Sequence, residues 1–266
     1  MSARQIADRK REFAFFEAML TGACTERIFL ISAPSESGKT VLLSELARFA
    51  AQLLGTGKCA RLNLKGEQPL NAVLDRLCVE LGQANFPKYC ACGVAAPVKI
   101  HADLRQAQFG NENAVTVAPH IHAAVSPSPA VFASSMIADL SAWVTPAVAI
   151  IDTFEQATEE TGKWIVQQLL PLTRHLSNFC VVIAGQKVPQ PADYLLEWGD
   201  LAKPHALPLV TSTDDWHEYA CQRYPGFPRE HIEVVCRGLA SRPSAIQQFI
   251  DGFGSQLGDG SAEALS

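Results

Sequence analysis

The sequence predicts an α/β fold: a mostly parallel sheet held between two layers of helices, followed by a small C-terminal helical lid. Three observations lead there. Apolar runs at residues 27–32, 144–152 and 178–185 read as strands buried on both faces, which is the habit of parallel sheets. Segments with apolar residues at helical spacing alternate with those runs, as in βαβ units. A short loop, Ala33-Pro34-Ser35-Glu36-Ser37-Gly38-Lys39-Thr40, joins the first run directly to a helix.

Taken in order, residues 8–20 form a first helix, with Asp8 as its cap, Phe13, Phe16 and Leu20 as its apolar stripe and Gly22 as its stop. After the loop, Leu42, Leu46, Phe49 and Leu53 give the next helix its buried face, and it ends before Gly55-Thr56-Gly57. Residues 59–64 alternate as a second strand. Leu70, Val73, Leu74, Leu77 and Leu81 share one face of a helix over residues 69–81. Residues 83–135 then change character: they are rich in Ala, Val, Pro, Ser, Asn and Gly, with no sustained period, and are expected to be an insertion. A short helix over 136–143 returns the chain to the core, and the strand at 144–152 ends on Asp152. A helix over 164–176 should kink at Pro171. Residues 206–210 form an edge strand, as Pro208 dictates. Three helical segments follow, opening at Asp214, Pro228 and Pro243. The expected organisation is a core over 1–210 carrying the insertion, a lid over 211–254 and a disordered polar tail over 255–266.

Composition narrows the class. The chain has 266 residues, 48% hydrophobic and 18% charged, which suits a globular protein with a sizeable core. Its formal net charge of -5 gives no global sign of a polyanion partner, so nothing points directly to nucleic acid. The charged N-terminus lacks an apolar targeting segment, and no stretch is apolar for the ~20 residues that span a bilayer. The eight Cys are scattered, several within apolar runs, as free thiols are in a reduced cytoplasm.

The loop carries the chemistry. Between a buried strand and a helix, successive backbone N–H groups can wrap phosphate oxygens while the helix N-terminus adds its positive end. Pro34, Ser35, Glu36, Ser37, Gly38, Lys39, Thr40 and Val41 are therefore the expected phosphate-binding residues. Gly38 allows close approach, Lys39 reaches the β- and γ-phosphates, and Thr40 offers a hydroxyl to Mg²⁺. Ala33 stands where such loops carry their first Gly. Asp152 is the expected second Mg²⁺-holding group. Thr153 occupies the usual place of a water-activating acid, which leaves Glu155 as the candidate base. Gln186 and Lys187, at the end of the third apolar strand, are placed to sense a γ-phosphate. Cys90, Cys92, His101, His120 and His122 have ligand chemistry for Zn²⁺ but no standard spacing. No Asn-Lys-x-Asp run reads guanine, and no Gly-x-Ser-x-Gly elbow supports a serine hydrolase.

These residues resemble a known group. Asp8-Arg9-Lys10-x-Glu12, the phosphate loop, Ala149-Ile150-Ile151-Asp152-Thr153-Phe154-Glu155, Val181-Val182-Ile183-Ala184-Gly185-Gln186 and Leu239-Ala240-Ser241-Arg242-Pro243 are similar, in order and spacing, to STAND-type ATPase domains. Those are signal-transduction relatives of the AAA+ and origin-recognition P-loop ATPases. The resemblance implies a P-loop NTPase three-layer α/β/α sandwich with ATP and Mg²⁺ as cofactors, and it places Arg242 and Pro243 in a nucleotide-contacting lid motif. It also implies a slow ATPase used as a switch, self-association in the ATP state and a protein effector or sensor as partner. A non-hydrolysing nucleotide-binding scaffold and a small-molecule kinase are the rival expectations.

Overall fold

The computed structural model describes residues 7–93, 108–109, 115–116, 128–239 and 242–263. Helix α1 (Lys10–Thr21) leads into β1 (Ile28–Ser32), α2 (Lys39–Leu54), β2 (Cys59–Asn63) and α3 (Leu70–Glu80). Next come α4 (Pro87–Gly93), a two-stranded antiparallel pair of β3 (Gln108–Phe109) with β4 (Val115–Thr116), and α5 (Pro129–Leu140). Strand β5 (Ala147–Asp152) is followed by α6 (Glu159–Trp164), a π-helical turn (Ile165–Leu169) and α7 (Leu170–His175). The chain continues through β6 (Phe179–Gly185), β7 (Ala202–Ala206), α8 (Thr213–Arg223), α9 (Arg229–Gly238) and α10 (Pro243–Glu263).

The main sheet has the order β2-β5-β6-β1-β7, and every pairing in it is parallel. Alternate side chains of the central strands serve opposite faces. Ile28, Leu30, Ala149, Ile151, Val181 and Ile183 meet α3, α4, α5 and the α6–α7 segment. Phe29, Ile31, Val148, Ile150, Val182 and Ala184 meet α1 and α2. Burial on both faces explains why β5 and β6 are apolar along their length, and it confirms the expected three-layer sandwich. A third cluster packs Ala7 and Val210 against α8, α9 and α10 and forms the lid.

Five sequence expectations change. The segment 83–135 is not wholly peripheral: Phe86 and Tyr89 are buried in the core, Phe86 lies 5.6 Å from the Trp143 ring, and α5 begins at Pro129 rather than 136. The edge strand is residues 202–206, not 206–210. Its side chains are partly buried at Ala202 and His205 and exposed at the other three positions, so it lacks the apolar signature of its neighbours, and Pro204 rather than Pro208 sits within it. The helix ahead of β6 is not simply kinked at Pro171 but widens into the π-turn just before it. Pro171 has no N–H to return to the preceding turn, and the Leu170 N–H turns to Ile165. The Val166 carbonyl so released accepts from the Trp198 indole N–H at 3.0 Å. Helix α1 starts one residue later than expected, with Arg9 rather than Asp8 at its cap. Helix α10 runs to Glu263, through the expected tail, because glycine weakens a helix without stopping it.

Phe86→Ala should lower stability by about 3 kcal/mol, since it empties a fully buried aromatic site. Urea unfolding of the two proteins measures this; a loss below about 0.5 kcal/mol would return residues 83–93 to the periphery.

Candidate functional site

Parallel register brings the strand ends together. Ser32 pairs with Gly185 and Asn63 with Asp152, so the loops after β1, β2, β5 and β6 open on the same edge of the sheet. Ligands of such sheets bind at that edge. Here it forms the floor of a cavity of about 500 Å³ that the lid closes from above.

The phosphate loop makes one wall. It leaves β1 pinned by the Ala33 N–H, which donates to Gly185 O at 3.0 Å. Its backbone turns through positive φ at Glu36 (63°) and Gly38 (85°), the latter directly before α2. Only 1% of Ser37 is exposed, and its hydroxyl has no partner among the described residues. A buried polar atom without a bond is costly, and an anion in the loop would satisfy it. The Lys39 ammonium folds back on the loop, donating to Ala33 O and Pro34 O at 2.7 Å each. Burial lowers its pKa, while the nearby carboxylates of Glu155 and Asp152 act in the opposite sense.

Asp152 is 2% exposed and accepts from the Thr40 hydroxyl, Oγ1 to Oδ2, at 3.0 Å. Two hard oxygen ligands on adjacent elements suit Mg²⁺, which keeps waters and substrate oxygens in its remaining positions. The next residue, Thr153, has φ 61°, a region that β-branched residues avoid. That turn and a 3-10 turn at Phe154–Gln156 reverse the chain and bring Glu155 back to the end of β6. There its Oε2 accepts from the Gln186 N–H at 2.9 Å. Gly185 permits the approach, because a Cβ there would lie 2.5 Å from Glu155 Oε2.

The opposite wall is apolar and belongs largely to the lid. Ala7, Val210, Trp216 and Tyr219 line it, and the Trp216 indole N–H is fixed on Val210 O at 3.1 Å. Arg9 lies beside them, 4% exposed, donating to Pro208 O at 2.9 Å with Glu12 at 3.7 Å. Burial lowers its pKa, opposed by Glu12. Pro243, Ser244 and Gln247, from the start of α10, complete the wall, and Pro243 Cβ approaches within 3.6 Å of the position a Gly38 Cβ would take.

The cavity thus gathers Ser35, Glu36, Ser37, Gly38, Lys39, Thr40, Val41, Asp152, Glu155, Gln186 and Pro243. Pro34 contributes its carbonyl to Lys39 but is not on the wall. Arg242 is also off the wall: its side chain is exposed, and its backbone N–H bonds Leu239 O at the approach to α10. Lys187 borders a neighbouring groove instead. Cys90 and Cys92 turn to different partners, Cys78 Sγ at 3.9 Å and Ser135 Oγ at 3.0 Å. His101, His120 and His122 lie outside the described residues. Sequence reasoning missed Arg9, Asn63, Lys65, Gln156, Val210, Trp216 and Tyr219 as wall residues. Asn63 carried a signal, since it ends a strand parallel to the one ending in Asp152.

In sequence, neither a family model nor a curated protein matches the chain. Solved structures match its fold. The ORC1 protein of Aeropyrum pernix in complex with DNA superposes with a TM-score of 0.55 at 12% identity, over 94% of this chain and 60% of that one. Cdc6p of Pyrobaculum aerophilum gives 0.55 at 10% identity, over 94% and 61%. The Walker-type ATPase PABY2304 of Pyrococcus abyssi gives 0.53 at 14%, over 99% and 77%. The chain therefore shares the fold of these ORC1, Cdc6p and Walker-type ATPase structures and spans about 60% of the ORC1 and Cdc6p chains. One of these neighbours was solved on DNA, which corrects the expectation that nothing points to nucleic acid. Among the described residues no helix is long and apolar enough to cross a membrane.

Thr153→Gly should stabilise the protein by about 1 kcal/mol, since it removes a left-handed β-branched residue at the cost of some unfolded-state entropy. Thermal unfolding without ligand checks it; a lower melting temperature would show that Thr153 is not strained.

Proposed function

We propose that the chain is an ATP-binding, Mg²⁺-dependent regulatory NTPase of the STAND kind, slow in turnover and working as a nucleotide-controlled switch. The observation that carries this reading is the cavity lined together by a phosphate loop, the acidic end of β5 at Asp152, the Glu155 turn and lid residues. The lid supplies Pro243, Ser244, Trp216 and Tyr219, so occupancy of the cavity bears directly on how lid and core are held together.

Residue roles follow from position. The loop N–H groups and Ser37 hydroxyl bind the phosphates, and Lys39 exchanges its two carbonyl partners for phosphate oxygens. Thr40 and Asp152 would hold Mg²⁺, whose chemistry there would be neutralisation of phosphate charge. The apolar wall of Val210, Trp216 and Tyr219 takes the base. Glu155 orients the attacking water and receives its proton. DNA enters as a macromolecular partner to test, since a fold neighbour was solved in complex with it.

A non-hydrolysing scaffold is the second reading. It is favoured by Thr153 in the usual place of the acid and by the engagement of Glu155 with the Gln186 N–H.

Lys39→Ala should weaken ATP binding at least tenfold in a fluorescent-nucleotide titration, since it removes a charge-assisted contact; a change within twofold would overturn the nucleotide reading. Glu155→Gln should slow single-turnover hydrolysis by ~10²–10⁴-fold and spare binding, whereas Asp152→Asn should weaken Mg²⁺-dependent binding as well. Wild-type protein that binds ATP without hydrolysis above background would establish the scaffold.

A further inference from the structure

The cavity has a direction. Strand order puts β7 at one edge of the sheet and β2 at the other, with β1, β6 and β5 between them. Val210, a few residues beyond β7, belongs to the apolar wall, while Asn63 and Lys65, at and just beyond the end of β2, line the far end. The phosphate loop lies between, after β1. A nucleotide with its base on Val210 and Trp216 would run its phosphates past Lys39 toward Asp152 and the end of β2, with the terminal phosphate on the side of Lys65.

Lys65 is the cation suited to that end. Arg9 is committed to Pro208 O and Glu12. Lys39, bonded to the loop carbonyls without ligand, is already assigned to the β- and γ-phosphates in the reading above. The Lys65 side chain is exposed, and its ammonium makes no ion pair among the described residues. Its backbone is nevertheless held firmly. The Lys65 N–H donates to Asn63 Oδ1 at 3.0 Å, its carbonyl accepts from Gln68 Nε2 at 3.1 Å, and the following Gly66 N–H donates to Gln156 Oε1 at 3.1 Å. Gly66 (φ 83°) and Glu67 (φ 51°) turn the chain just after it. The Gln156 contact ties this loop to the same short turn that carries Glu155. With Asp152 and Glu155 both on the wall, the terminal phosphate meets a surplus of negative charge unless a further cation is supplied.

Resting on the nucleotide reading above, we infer that Lys65 is a γ-phosphate-binding residue supplied within the chain itself, and that it makes the site prefer a nucleoside triphosphate over a diphosphate. It contacts the group that ADP lacks, so its contribution is confined to the triphosphate state and to the transferring phosphoryl group.

The test is the ratio of ATP to ADP affinity, measured by titration on the full chain with Mg²⁺. Lys65→Ala should weaken ATP about tenfold and leave ADP within about twofold. Lys65→Arg should restore most of the ratio, and the ligand-free melting temperature should not move, since the side chain is exposed. Equal loss for ATP and ADP, or no loss for either while Lys39→Ala still abolishes binding, would overturn the role of Lys65 and leave the nucleotide site standing. Failure of the wild-type protein to bind either nucleotide would overturn both.

Discussion

The parallel register of β2, β5, β6 and β1 is the constraint on which the site depends. Because Ser32 faces Gly185 and Asn63 faces Asp152, four loops from distant parts of the chain open in one plane. Slipping any strand by one residue would exchange its two faces and move its terminal loop away from the others. The apolar character of β5 and β6 prevents such slippage indirectly. Each strand has a helical layer on either side, and Val148, Ile150, Ala149 and Ile151 must alternate between them. Core packing thus sets the distance between Thr40 and Asp152 as effectively as their own hydrogen bond does.

Local strain does the finer positioning. Thr153 holds a left-handed conformation that costs about 1–2 kcal/mol for a residue with a Cβ. What that conformation produces is a reversal that returns the Glu155 carboxylate to the Gly185–Gln186 turn. The carboxylate then belongs at once to the end of β5 by sequence and to the end of β6 by contact. A residue able to leave one of those allegiances is a natural point at which a phosphate could be felt by the adjacent strand.

Much of this was legible in the sequence. The loop from Ala33 to Thr40 announced itself by small residues between a buried run and a helix, and the buried strands by apolar composition. Asp152 followed from its place at a strand end. Other parts left no trace of that kind. Strand β7 is exposed, so neither alternation nor apolarity marked Lys203, Pro204 and His205. The segment from Gln83 onward was read as irregular because Phe86, just before a short helix, and Tyr89, within it, are isolated anchors, and the helix is too brief to show a period. Lys65 reaches the cavity through an Asn63 turn and a contact from Gln156, ninety residues away from Gly66, and the lid wall depends on how α8 folds over the core. Three-dimensional closure of that sort is not encoded in local spacing. Arg242 failed as a candidate for the same reason, since its neighbour Pro243 takes the inward position.

The chain contains four tryptophans. Trp143, Trp164 and Trp198 sit in the core cluster on one face of the sheet, remote in packing from the lid. Trp216 alone among them lines the cavity, locked by its indole N–H to Val210 and edge-on to Tyr219 at 5.7 Å. An indole so placed has its emission governed by whatever fills the space in front of it, so the protein carries an intrinsic optical reporter at the seam between core and lid.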